Sequence, residues 1–146
     1  MEHIVKILSI RHITHDVVQI ETEKPIHYEF IPGQATDISI NREGLKQELR
    51  PFTFTSLPGD DHLQFTIKTY PERNGVTKEL LNLRENDELI VHDIFGDIRY
   101  KGDGIFIAGG AGITPFISIF KQLVASGEIY RNKMVFAKRT KADIIH

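Results

Sequence analysis

Ile105-Phe106-Ile107-Ala108-Gly109-Gly110-Ala111-Gly112-Ile113-Thr114-Pro115 is the stretch from which the architecture can be read. Its first four residues are apolar without alternation, which predicts a strand buried on both faces of a parallel sheet. The glycines that follow remove the Cβ atoms that would block a tight turn and the close approach of a ligand to the backbone. Thr114 is then expected to cap a helix with Pro115 in its first turn, where a missing N–H costs nothing. Phe116, Ile119, Phe120, Leu123 and Val124 recur at helical spacing and predict the face laid on the sheet, and Ser126-Gly127 predicts the stop. A helix that starts this way offers free N–H groups and the positive end of its dipole to a phosphate. The glycine pattern is incomplete, because Pro115 stands where the third glycine of a dinucleotide-binding turn would fall. Alone it fits a purely structural turn equally well.

Upstream, Arg50-Pro51-Phe52-Thr53-Phe54-Thr55-Ser56 lies between a charged turn at 41–48 and the turn Leu57-Pro58-Gly59-Asp60. Its aromatic and β-branched content predicts a strand. Alternation puts Arg50, Phe52 and Phe54 on one face and Pro51, Thr53 and Thr55 on the other. A guanidinium beside an aromatic ring suits a flavin nucleotide, since arginine supplies forked donors to a phosphate and the ring supplies a stacking face. The competing reading is a half-buried edge strand whose arginine stem covers apolar surface.

The order of four motifs, Phe30-Ile31-Pro32-Gly33-Gln34, Arg50-Pro51-Phe52-Thr53, Gly75-Val76-Thr77 and Gly109 through Pro115, resembles the ferredoxin-NADP reductase family of flavin oxidoreductases over nearly the whole chain. The resemblance implies that Arg50 binds a flavin phosphate, that Phe52 stacks on the isoalloxazine, and that Thr53, the catalytic position, faces the flavin N5 region, with Pro51 in the same cofactor-binding stretch. It assigns the pyrophosphate to a short helix opened by Gly75, Val76 and Thr77, and the nicotinamide nucleotide to Gly110, Gly112 and Thr114. Phe52 replaces the tyrosine common at its position, so stacking persists without a phenolic hydrogen bond. Asn86-Asp87 replaces a common Gly-Asp turn, which asparagine tolerates in a left-handed conformation.

Residues 1–100 are expected to form an antiparallel Greek-key β-barrel that binds flavin. The predicted strands at 3–10, 17–21, 36–40, 50–55, 63–70 and 88–92 are separated by Pro, Gly, Asp and Asn turns. Leu63, Phe65 and Ile67 alternate with Gln64, Thr66 and Lys68, predicting one wet face. The one helical interruption is expected at 77–83, capped by Thr77. From Lys101 the pattern becomes strand, helix, strand, with Met134-Val135-Phe136-Ala137 as the second strand. Residues 101–146 thus read as the first part of an α/β Rossmann-like nucleotide-binding domain, shorter than the ~100–150 residues of an ordinary domain. On that reading the chain should retain flavin but hold nicotinamide poorly and be reduced slowly by NADH or NADPH, and its open sheet edge should favour dimerisation or aggregation.

Composition sets limits. With 146 residues, 40% hydrophobic, the chain can build a sizeable core, and a net charge of −2 gives no general attraction to nucleic acid or anionic membrane. No apolar run is long enough to span a bilayer, and a cytoplasmic protein is expected. The absence of cysteine excludes disulfides and a cysteine-ligated iron-sulfur cluster within this sequence. His12 and His15 are not spaced to share a strand face, Asp60-Asp61 reads as a solvated turn, and Lys138, Arg139 and Lys141 read as a loop near a phosphate or simply in solvent.

The leading expectation is an NAD(P)H-dependent flavoprotein reductase. Hydride from NADPH or NADH would pass to FAD, with FMN as the alternative, and electrons would leave to a flavodoxin, a ferredoxin or a similar acceptor. A flavin-binding or regulatory module without turnover, and a scaffold that has lost both ligands, are the competing readings.

Overall fold

The computed structural model describes residues 1–69, 76–109, 113–129 and 132–137. Six strands form one antiparallel sheet: β1 (His3–Thr14), β2 (Val17–Glu23), β3 (Ala35–Ile40), β4 (Arg50–Thr53), β5 (His62–Lys68) and β6 (Glu88–Phe95), in the order β4-β3-β6-β1-β2-β5. The outer strands meet where Phe54 bridges Phe65 and the Thr55 amide donates to the Gln64 carbonyl at 2.8 Å, which curls the sheet into a barrel. A short helix, α1 (Val76–Glu79), runs into a 3₁₀ turn at Leu80–Asn82 that drops Leu80 into the core. Ile7, Ile20, Ile38, Ile40, Phe54 and Phe65 form the fully buried centre. There the ring of Phe54 stacks on Phe30 at a centroid distance of 4.2 Å.

The second unit has β7 (Ile105–Gly109) and β8 (Lys133–Ala137) paired in parallel, with α2 (Thr114–Ser126) between them in sequence. Phe116 and Phe120 set their ring edges against Phe106 of β7, at 5.3 and 4.9 Å. Gly127, at φ 78°, ends α2 where Ser126-Gly127 was expected to. The fold class read from the sequence, an antiparallel barrel followed by the start of an α/β nucleotide-binding unit, is the one observed.

Four details differ from expectation. Thr114 lies inside the first turn of α2: Ile113 occupies the cap position with helical dihedrals and no side-chain cap bond. The short helix begins at Val76 and not at Thr77, and tightens after one turn. β7 is not buried on both faces, since Ile105 and Ile107 are 67% and 73% exposed while Ala108 is buried under α2. Val124, assigned to the sheet-facing side of α2, is 63% exposed, and Ile117 and Ser118 are buried instead.

The most consequential difference is on β5. Gln64 and Thr66, expected on a wet face, are only 7% and 4% exposed. They are covered because the chain after β4 and then α2 lie across them. Thr55 Oγ1 bonds Gln64 Oε1 at 3.0 Å and Thr66 Oγ1 at 3.1 Å, so the polar atoms find partners in a dry layer.

Candidate functional site

β4 is the terminal strand of the sheet, and among the described residues its four residues pair with β3 alone: Arg50 with Ile38, Pro51 with Asp37, Phe52 with Thr36, Thr53 with Ala35. After Thr53 the chain turns inward and Phe54 closes the barrel against β5. The other edge of β4 therefore stays available to a ligand along the length of the Arg50-Pro51-Phe52-Thr53 motif. Arg50 is exposed, with Nη1 donating to the Leu49 carbonyl at 2.7 Å. Phe52 is half-buried and leans on the barrel core, leaving part of its ring accessible. Pro51 is exposed and Thr53 half-buried.

An exposed guanidinium, a part-exposed ring and a threonine in consecutive register along an open strand edge fit the phosphate, the flat ring system and the polar edge of a flavin nucleotide. The contact of Phe52 with the core gives the structural reading of that residue a share as well. Neither use excludes the other.

Phe30-Ile31-Pro32-Gly33-Gln34 precedes β3 and shapes the neighbouring wall. Gly33 has φ 105°, and a Cβ there would overlap the carbonyl of Ile98. Only glycine allows this crossing, which lays the connection between the two units against the barrel. Gln34 takes the Ile31 amide on Oε1 at 2.8 Å and donates to the Gly96 carbonyl at 3.3 Å. Asn86 adopts φ 72°, the left-handed conformation expected of it.

Of the other residues singled out in the sequence, Gly75, Gly110, Gly112, Lys138, Arg139 and Lys141 lie outside the described residues, and Val76 and Thr77 are described only as backbone. Thr114 is half-buried at the start of α2. Asp60 does more than solvate its turn: its Oδ2 accepts the Leu57 amide at 2.9 Å, while Lys24 Nζ donates to the carbonyls of Pro58 and Asp60.

Sequence reasoning missed the residues that tie α2 to the chain after β4. Ser118 Oγ donates to the Ser56 carbonyl at 2.6 Å, and Lys121 Nζ donates to the Thr55 carbonyl at 2.7 Å and to Gln64 Oε1 at 2.9 Å. Burial pushes the Lys121 ammonium below its ordinary range, with Asp60 and Glu21 pulling the other way. The one available signal was a lysine and a serine set into an otherwise apolar helix face. Beneath them, Ile113 and Ile117 pack with Ala108 and with Val17 of the barrel.

Comparison with known proteins gives a consistent picture. A family model described as an FAD-binding domain matches residues 2–104, and one described as an oxidoreductase NAD-binding domain matches residues 106–146. The reductase component of propane 2-monooxygenase from Rhodococcus jostii is 28% identical over 97% of this chain and 39% of its own length. The glycine betaine monooxygenase reductase subunit from Pseudomonas aeruginosa is 29% identical over 99% of this chain and 41% of its own. The chain thus spans about two fifths of these relatives. Among solved structures, a ferredoxin NADP+ reductase from Neisseria gonorrhoeae with bound FAD and NADP superposes with a TM-score of 0.84, covering 99% of this chain and 60% of that one at 18% identity, a likeness of fold.

Proposed function

Because the chain belongs to the FAD-binding-domain family of flavin oxidoreductases, the ferredoxin-NADP reductase family, we propose that it takes part in transferring a hydride from NADPH or NADH to FAD and passing the electrons to a protein acceptor. The observation that carries this reading is the attachment of α2 to the carbonyls of Thr55 and Ser56. Those carbonyls directly follow the Arg50-Pro51-Phe52-Thr53 stretch, and α2 directly follows the glycine turn. A flavin along β4 and a nicotinamide at the turn would be held side by side, the proximity that hydride transfer demands.

The flavin, when bound, accepts two electrons as hydride and releases them singly. The chain's own groups position the reactants. Arg50 holds a phosphate by charge-assisted hydrogen bonds, and Phe52 offers a ring face while Thr53 lines the reacting edge. Gly75, Val76 and Thr77 are assigned the pyrophosphate, and Gly110, Gly112 and Thr114 the nicotinamide nucleotide, by the family pattern. Residues 1–100 serve the flavin and residues 101–146 begin the nicotinamide unit. No side chain need donate a proton to the hydride.

A protein redox acceptor is supported by relatives named as the reductase component or subunit of monooxygenases. We assign this chain a ferredoxin, a flavodoxin or the oxygenase component of such a system. With no cysteine in the sequence, any cysteine-ligated iron-sulfur cluster in the relay belongs outside these residues.

The test is a visible spectrum of the purified protein supplied with FAD, followed by anaerobic addition of NADH or NADPH. Bound oxidised flavin that bleaches with either nucleotide supports the reading. Bound flavin that neither nucleotide bleaches leaves a flavin-binding module, and no bound flavin removes the cofactor assignment.

A further inference from the structure

Three ties join α2 to the barrel, and all fall beside the candidate site. Ser118 Oγ reaches the Ser56 carbonyl at 2.6 Å; both residues are fully buried. One turn further along, Lys121 Nζ reaches the Thr55 carbonyl and Gln64 Oε1 at 2.7 and 2.9 Å. Between them Ile119, also fully buried, brings its side chain to the Gly33 turn.

The acceptors explain why these bonds have more than a packing role. The Thr55 and Ser56 carbonyls are successive main-chain groups two and three residues after Thr53, so they move with β4. Ser118 lies four residues, about one helical turn, after Thr114, so it moves with the start of α2. A hydrogen bond to a main-chain carbonyl fixes the backbone itself. A purely apolar contact is non-directional and would let the helix slide.

The lysine is an expensive way to fill this place. Its ammonium is half removed from water, which lowers its affinity for the proton, and an apolar residue would avoid that cost. Gln64 is held in turn, since its Oε1 also accepts from Thr55 Oγ1 and its Nε2 donates to Glu21 at 3.4 Å. The polar layer on β5 that alternation assigned to solvent is the socket for this lysine.

We propose that Ser118 and Lys121 are positioning residues for hydride transfer, fixing the start of α2, on the nicotinamide side, against the flavin-side strand by gripping consecutive carbonyls of Thr55 and Ser56. The proposal rests on the reductase reading above and adds to it the device that sets the donor-to-acceptor distance. Neither residue is assigned a contact with either cofactor. Their effect belongs in the rate at saturating nucleotide, not in the affinity for flavin.

The experiment uses the FAD-loaded protein and its Ser118→Ala, Lys121→Met, doubly substituted and Lys121→Arg variants. Measured for each are FAD affinity, amide hydrogen exchange along α2, and the limiting rate and nucleotide dependence of flavin reduction by NADH and NADPH. The double variant, which loses all three bonds, should exchange its α2 amides about tenfold faster or more, since tenfold corresponds to the net worth of about one of them. It should keep its FAD affinity and lose up to about 100-fold in limiting rate, as expected for a misplacement on the order of 1 Å. Lys121→Arg should restore much of that rate. If the double variant does not fold, Ser118→Ala alone, which removes one hydroxyl, carries the same comparison.

Unchanged α2 exchange, an unchanged limiting rate, or a fall in FAD affinity that parallels the fall in rate overturns the proposal. If the unsubstituted protein binds FAD but neither nucleotide reduces it, the reductase reading fails and the proposal with it. The exchange measurement separates that outcome from a failure of the two residues to hold the helix.

Discussion

Arg50 and Phe52 sit two residues apart on the same strand and are expected to fail differently when changed. Arg50 is exposed and contributes little to the core, so Arg50→Ala should leave the melting temperature nearly unchanged. It should weaken FAD and FMN far more than riboflavin, which has no phosphate. Isothermal titration with the three ligands checks this, and equal losses would remove Arg50 from the phosphate role. Phe52 packs on the core, so Phe52→Leu should lower the melting temperature slightly as well as loosening the flavin by about 0.5–1.5 kcal/mol and raising its bound-state fluorescence. A lower melting temperature with no change in affinity or emission would make Phe52 a core residue only. Tyr28 gives a pH signature of the fold itself. Its hydroxyl donates to the His92 carbonyl at 2.6 Å, and burial pushes its pKa up to about 12 from 10.0. Above pH 10 the unfolded chain has shed a proton that the folded chain keeps, so stability should fall as pH rises from 10 to about 12. Tyr28→Phe should flatten that part of a denaturant titration series.

Among the elements, the strands were legible and their surroundings were not. Apolar alternation and turn residues located all six barrel strands to within a few residues, because a one-sided strand writes its period into the sequence. The end of α2 at Gly127 was legible for the same local reason. What failed were statements about what covers an element. Gln64 and Thr66 look wet in sequence because polarity marks a face as hydrogen-bonding, and only the fold shows that Thr55 and Lys121 supply the partners. Thr114 looks like a cap, yet Ile113 already has helical dihedrals, so Thr114 falls inside the first turn. The Arg50-Pro51-Phe52-Thr53 stretch was visible as a motif; its place on the terminal strand depends on strand order, which is non-local. Two elements make firm predictions about stability. Phe54→Ala should cost about 3–5 kcal/mol, since a fully buried ring stacked on Phe30 leaves a cavity. Gly33→Ala should be destabilising through its left-handed φ and the Ile98 carbonyl, by on the order of 1–3 kcal/mol. Equilibrium denaturation measures both, and a neutral Gly33→Ala would show that the crossing can relax.

Across the whole molecule, the barrel and the α/β unit share a boundary that is apolar at one end and polar at the other. Val17 with Ile113 and Ile117 makes the apolar end, and Ser56 with Ser118 and Thr55 with Lys121 make the polar end. Among the described residues no helix is long and apolar enough to cross a membrane, and no cluster of side chains is suited to a metal. The chemistry proposed for this chain depends on organic cofactors brought together at that boundary. The central claim is that two motifs far apart in sequence form one hydride-transfer site. Anaerobic bleaching of the FAD-loaded protein by NADH and NADPH carrying deuterium on one or the other face of nicotinamide C4 tests it most directly. Bleaching should occur with at least one nucleotide and be slowed by deuterium on one face only, as direct transfer between two fixed rings requires. Bleaching that is insensitive to deuterium on either face, or no bleaching of a flavin that is bound, would contradict it.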